Sequence, residues 1–163
     1  MTVVFGFSRP ISKYNVMSAL IRAVSKRPFS HSYVRIIAPN CDVVFQASGL
    51  SVNLIQYSNF LLKEIAVEEY AYDIAEAYIG PMVRYVLCQL GTNYSVFQLF
   101  LDLFYTLFKV KLPFKAAGEV CSEQSARLAQ VIGLTIPGDL NYYTPSDFRE
   151  FCAANMRKIT CQQ

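Results

Sequence analysis

The chain has one histidine, and no Cys-x-x-Cys pair occurs among its five cysteines. A structural zinc site needs several His and Cys ligands at recognisable spacing, so this composition argues against one, and no metal or other cofactor is expected. The 15 Lys and Arg residues are scattered, the net charge is only +3, and no basic tract could track a phosphate backbone. Nucleic-acid binding is therefore not expected. Charge is scarce, at 17% of residues against 53% apolar. So apolar a chain does not stay disordered, and some of its apolar surface is left for a partner or a lipid. No apolar run reaches the roughly 20 residues that span a bilayer. Repeats, low-complexity stretches and linkers are missing, and 163 residues suit a single domain, 1–163, with a real core. No basic region precedes the apolar Val3, Val4 and Phe5, so no signal peptide is read. The cysteines, at 41, 88, 121, 152 and 161, are odd in number and irregular in spacing. They predict free thiols in a reducing compartment.

The patterning that is present predicts an α+β domain. Thr2 to Phe7 reads as a buried strand ended by Ser8-Arg9-Pro10. Asn15 to Ala23 reads as a short helix with Val16, Ala19, Leu20 and Ala23 on one face. Ser32 to Ile37 and Val43 to Ala47 form a hairpin around Pro39-Asn40-Cys41-Asp42, and Glu64 to Val67 is a third strand. Between Val67 and Gly91 the chain reads as partly helical, best at Met82 to Leu90, with Gly80-Pro81 interrupting. Val96 to Phe108 is apolar on nearly every face, with a narrow polar stripe of Gln98, Asp102, Thr106 and Lys109. It is either a buried or lid helix, or one that meets a membrane or lipid. Ser122 to Ile132 is amphipathic, with Ser125, Leu128, Ala129 and Ile132 on one face and Gly133 as its stop. A last short helix runs from Ser146 to Ala154.

If imidazole acts as a base here, His31 must be that residue, since no other histidine exists. The alternative is an ordinary surface or core histidine. Ser30-His31-Ser32 sets the ring at the mouth of a strand, where it can reach a cleft. Cys121 lies just ahead of the helix at Ser122. Unpaired N–H groups at a helix start stabilise a thiolate and can donate to an oxyanion. The alternative for any one cysteine is a small buried hydrophobe. Cys88 reads as such a buried hydrophobe, and Cys41, Cys152 and Cys161 have no helix start behind them.

Leu90-Gly91-Thr92-Asn93-Tyr94, Gly118-Glu119-Val120-Cys121-Ser122-Glu123 and Gly133-Leu134-Thr135-Ile136-Pro137 resemble the NlpC-type papain-like cysteine hydrolases. In ordinary members the histidine follows the cysteine. Here His31 precedes Cys121, which resembles the circularly permuted, YiiX-like branch found in bacterial and viral genomes. Lecithin–retinol acyltransferase is a more distant relation with the same order. The resemblance covers about Phe5 to Phe148. It implies a small antiparallel sheet packed against helices and a catalytic set of Cys121, His31 and a third polar residue on the next strand. Gln46 matches that third position, where the family often has Glu; Ser48 is the alternative, because same-face strand positions lie two apart. Gln46 can orient the imidazole but supplies no negative charge. Tyr94, Ser30 and Glu123 are candidate binding residues. Tyr94 either shapes the cleft or is a plain core tyrosine, and Glu123 either serves the site or stabilises its helix through the dipole.

The resemblance implies acyl transfer on an amide, with a peptidoglycan peptide as the default substrate. Lipid-linked or other acyl substrates are the alternative, with transfer or ester hydrolysis as the reaction. A non-catalytic interaction or structural module on the same fold is a further alternative. The expected partners are a peptide or acyl substrate and, through 96–108, a membrane or lipid. The expected location is the cytoplasm or a virion.

Overall fold

The computed structural model describes residues 1–12, 14–48, 51–93, 121–140 and 143–161. Strand β1 (Thr2–Pro10) lies near the middle of a six-stranded antiparallel sheet. Its neighbours are β2 (His31–Ala38) and β5 (Glu64–Asp73). Outside β2 come β3 (Cys41–Ser48) and β4 (Ser51–Gln56), and outside β5 lies the short β6 (Arg157–Ile159). The strand order is β4-β3-β2-β1-β5-β6. Five α-helices complete the described residues: α1 (Val16–Ser25), α2 (Tyr57–Leu61), α3 (Ile79–Gln89), α4 (Cys121–Val131) and α5 (Pro145–Asn155). The fold is a single α+β domain, as the sequence predicts.

The apolar, β-branched start of β1 is buried on both faces of the sheet. On one face Val3, Phe5 and Phe7 join Val34, Phe45, Ala47 and Tyr70, under Leu128, Ala129 and Ile132 of α4 and Phe148 of α5. The Phe5 and Phe148 rings meet edge to face, 5.4 Å apart. The other face holds a smaller cluster of Tyr33, Val44, Tyr57 and Phe60 beneath α2. There the buried Glu69 carboxylate accepts from Tyr33 Oη at 2.8 Å and Tyr57 Oη at 3.1 Å. Arg35 lies over the Tyr57 ring at 3.6 Å and grips Asp42 through two hydrogen bonds of 2.7 Å. That grip ties the two sides of the β2–β3 turn, where Asn40 takes φ 58°. Gly6 sits opposite Tyr33 in the β1–β2 register. A Cβ at Gly6 would stand 2.1 Å from Tyr33 Cζ, so only glycine lets that ring lie across the sheet.

Several expectations need correction. Ser8-Arg9-Pro10 does not end β1: a register shift between Phe7 and Ser8 lets the strand run on, pairing Pro10 with Glu64. β5 continues to Asp73, where a partly helical segment was expected from Val67. Pairing with β1 along the whole of this run overrides the helical leaning of Glu68 and Glu69. Gly80-Pro81 does not interrupt α3 but lies in its first turn, where a missing N–H costs nothing. β4, α2 and β6 had no clear signal. Helix α1 exists, but its Val16, Ala19, Leu20 and Ala23 face is exposed. The proposed helix at 96–108 lies outside the described residues. Among the described residues no helix is long and apolar enough to cross a membrane.

Candidate active site

His31 opens β2 and is held there from three sides. Cross-strand pairing sets it against Ser8 of β1. The preceding residue, Ser30, is buried, donates its N–H to the Ser8 carbonyl at 2.9 Å and shares a 2.6 Å hydroxyl hydrogen bond with Ser18 of α1. Pairing between β2 and β3 ends at Val34 with Phe45. Beyond that pair β2 stays with β1 and β3 stays with β4, so the two strands part at the end that carries His31 and Gln46. The side chains bridge this gap: His31 Nε2 lies 3.0 Å from Gln46 Oε1. Gln46 is buried, and its amide nitrogen donates to Asn53 Oδ1 of β4 at 3.3 Å. Asn53 Nδ2 in turn donates to the carbonyls of Ser48 and Ser51, at 3.5 and 3.4 Å. This chain fixes which end of the Gln46 amide faces the ring. Gln46 is therefore the side chain that meets the ring, and the Ser48 carbonyl accepts from Asn53.

Cys121 is the first described residue of α4, is 3% exposed, and lies close enough to the His31 side chain for the two to shift each other's titration. With Nε2 bonded to Gln46, Nδ1 is the nitrogen left to face the thiol. Ser32, through its backbone N–H and hydroxyl, also favours the thiolate. Ser125, one turn along α4, packs its hydroxyl 3.4 Å from Ser32 Oγ and donates to the Cys121 carbonyl at 2.9 Å. Next to Cys121, Ser122 Oγ bonds the Tyr143 carbonyl. These bonds pin the helix turn that follows the cysteine.

The electrostatics of the pair follow from this packing. Burial opposes charge on both groups. For Cys121 it is outweighed by the imidazolium charge, the hydrogen bond to His31 and the two bonds from Ser32, and the thiol is pulled below its ordinary range. For His31, burial is outweighed by the thiolate charge and its hydrogen bond, then by the negative charge of Glu64 and the bond to Gln46, and the ring is pushed up to about 9. Each group thus favours the charged form of the other. Elsewhere burial dominates: it pushes the Cys152 and Cys161 thiols up. Cys41 and Cys88 are exposed, and all five thiols are free.

Of the sequence-predicted residues, the fold brings together Cys121, His31 and Gln46. Ser30 belongs to the framework behind His31, its hydroxyl committed to Ser18. Glu123 is fully buried and clasped by Arg127, 2.7 Å away and one turn along the helix, as suits an acid stabilising a helix start. Tyr94 lies outside the described residues. Sequence reasoning missed Ser32 and Glu64. Ser32 adjoins His31, so proximity was a signal. Glu64 carried none, because it reaches the site across β1, accepting from Ser8 Oγ at 2.9 Å.

No family model matches the chain, and no curated protein matches it. A solved structure does. The metalloprotein YiiX of Escherichia coli O157:H7 superposes with a TM-score of 0.54, over 99% of this chain and 96% of that one. The fold is YiiX-like. Sequence identity is 12%, so the likeness is one of fold. As for a metal, no group of three His, Cys, Asp or Glu side chains among the described residues could hold one.

Proposed function

We propose that the chain is a thiol-dependent hydrolase of the permuted papain-like, NlpC type, acting on amide bonds through a thioester at Cys121. The observation that carries this reading is a buried Cys121 beside His31, each favouring the other's charged form, with Gln46 Oε1 3.0 Å from His31 Nε2 on the far side of the ring. A structural cysteine needs none of this, and burial alone would raise its pKa.

In the proposed reaction the Cys121 thiolate attacks the carbonyl carbon. Backbone N–H groups beside Cys121 would donate to the oxyanion. As the C–N bond breaks, the His31 imidazolium gives its proton to the leaving amine, and the thioester remains. His31, now neutral, takes a proton from water, whose oxygen attacks the thioester; the acid leaves and the thiolate–imidazolium pair returns. Ser32 stabilises the resting thiolate, and Glu64 supplies negative charge that Gln46 lacks. The resemblance of the sequence to NlpC-type enzymes favours a peptidoglycan-type peptide amide as the substrate.

The test is incubation with muropeptides and, separately, with short acyl esters, read by mass spectrometry. Cleaved amide and a covalent adduct mapped to Cys121 support the proposal. Ester turnover without amide cleavage would move the substrate to the acyl class. Absence of product and adduct across both sets would leave a non-catalytic module on this fold.

A further inference from the structure

Helix α1 is apolar on two sides. Its open face carries Val16, 80% exposed, and Leu20, 44% exposed, with Ala19 and Ala23 in the same stripe. The side turned to the body carries Met17, Ile21 and Val24, which are partly buried, beside Ser18, whose hydroxyl bonds Ser30, and Arg22, whose Nε donates to the Ser18 carbonyl. A helix on a water-facing surface keeps its outer side polar, and this one does not. The apolar surface continues beyond the helix. Tyr14, just ahead of it, is 93% exposed, and Ile11 is 49% exposed. Ile11 N–H donates to the Lys63 carbonyl at 2.9 Å, which brings Leu62, 75% exposed, alongside.

Cations predominate around this patch, with Glu150 as a neighbouring acid, paired to Arg27 at 2.6 Å. Residues 1–41 hold six Lys and Arg and no Asp or Glu. Arg9 and Lys63 are exposed near Ile11, and Lys26 is exposed at the C-terminal cap of α1. Glu64, beside Lys63, is partly buried and accepts from Ser8.

We infer that α1, with Ile11, Tyr14 and Leu62 beside it, docks on an anionic membrane surface, its apolar stripe at the boundary of headgroups and acyl chains and Arg9, Lys26 and Lys63 at the level of the phosphates. A convex apolar helix face rimmed by cations is the form that binds a bilayer in its plane, and a tyrosine sits well at the headgroup level. The same juxtaposition puts His31 near the surface, because Ser18 of α1 bonds the residue before it. The inference does not depend on the hydrolase reading.

The full chain is sedimented with vesicles of phosphatidylcholine alone and of equimolar phosphatidylcholine and phosphatidylserine. Binding to the mixed vesicles is expected, weaker by about tenfold without phosphatidylserine and falling as salt is added. The V16S/L20S variant should lose most binding while keeping its circular-dichroism melting curve, since both side chains are exposed. K26E should weaken binding to mixed vesicles only. C121A should bind as the wild type does, which separates this surface from the proposed chemistry. The inference is overturned if the wild type stays in the supernatant with mixed vesicles. It is overturned too if V16S/L20S binds unchanged, or if the wild type forms a dimer that V16S/L20S dissociates without either protein binding vesicles.

Discussion

His31 and Gln46 meet at 3.0 Å across the point where β2 and β3 part, and Asn53 holds the Gln46 amide from behind. An imidazole fixed at Nε2 presents Nδ1 toward Cys121 in one orientation. In the proposed reaction the Gln46→Ala variant should therefore turn over about tenfold or more slowly, the range in which a misplaced acid–base group costs rate. Labelling of Cys121 should change little, because the thiolate keeps its charge partner and both Ser32 donors. Equal turnover in the variant and the wild type would remove Gln46 from the site.

The thiolate should be visible as reactivity. An ordinary cysteine, with a pKa near 8.5, is mostly protonated in mild acid. Cys121 is held lower by His31 and Ser32, so a thiol-directed electrophile at mildly acidic pH should label it ahead of the exposed Cys41 and Cys88. In His31→Ala the cation is gone, burial acts unopposed, and labelling of Cys121 should move to alkaline pH. Equal labelling of the exposed cysteines and Cys121 in the wild type would argue for a module without catalytic chemistry.

Glu64 offers a finer test. Cys121 raises the His31 pKa most and the negative charge of Glu64 adds to it, so the imidazolium persists through neutral pH and is lost as pH rises through about 9. Glu64→Gln keeps an acceptor for Ser8 but removes the charge. The alkaline limb of the pH–rate profile should move to lower pH, while the fold and the acidic limb, set mainly by Cys121, hold. An unmoved alkaline limb would show that Glu64 does not act on the ring.

Gly6 tests the fold rather than the site. Alanine there would drive a methyl group into the Tyr33 ring, whose hydroxyl is tied to the buried Glu69. The ring has little room to yield, so Gly6→Ala should destabilise by roughly 1–3 kcal/mol, the range for overpacking. Chemical denaturation measures it, and a loss well under 1 kcal/mol would mean that the Tyr33–Glu69 bond gives way easily.

Local pattern was enough for the elements whose own residues decide them. The β2–β3 hairpin could be read because Val, Ile and Phe runs flank a Pro-Asn turn, and α4 because Ser125, Leu128, Ala129 and Ile132 recur at helical spacing. Cys121 and His31 stood out by chemistry: a thiol at a helix start and the sole histidine. Gln46 was legible only to within two residues, since alternation fixes a face but not a position along it.

Tertiary structure decided what depends on residues distant in sequence. β5 became a ten-residue strand rather than a partial helix because β1 offers it a pairing edge. The stripe on α1 was visible in the sequence, but which way it faced was settled by the Ser18–Ser30 bond on the opposite side. Gln46 rather than Ser48 meets His31 because β2 and β3 diverge beyond Val34 and Phe45, so that register no longer decides which side chain reaches the ring. Glu64 entered the site across an intervening strand. The sequence determined which groups could do chemistry; strand pairing and helix docking determined which of them are close enough to share a proton, because charge and hydrogen bonding act over a few ångströms whatever the separation along the chain.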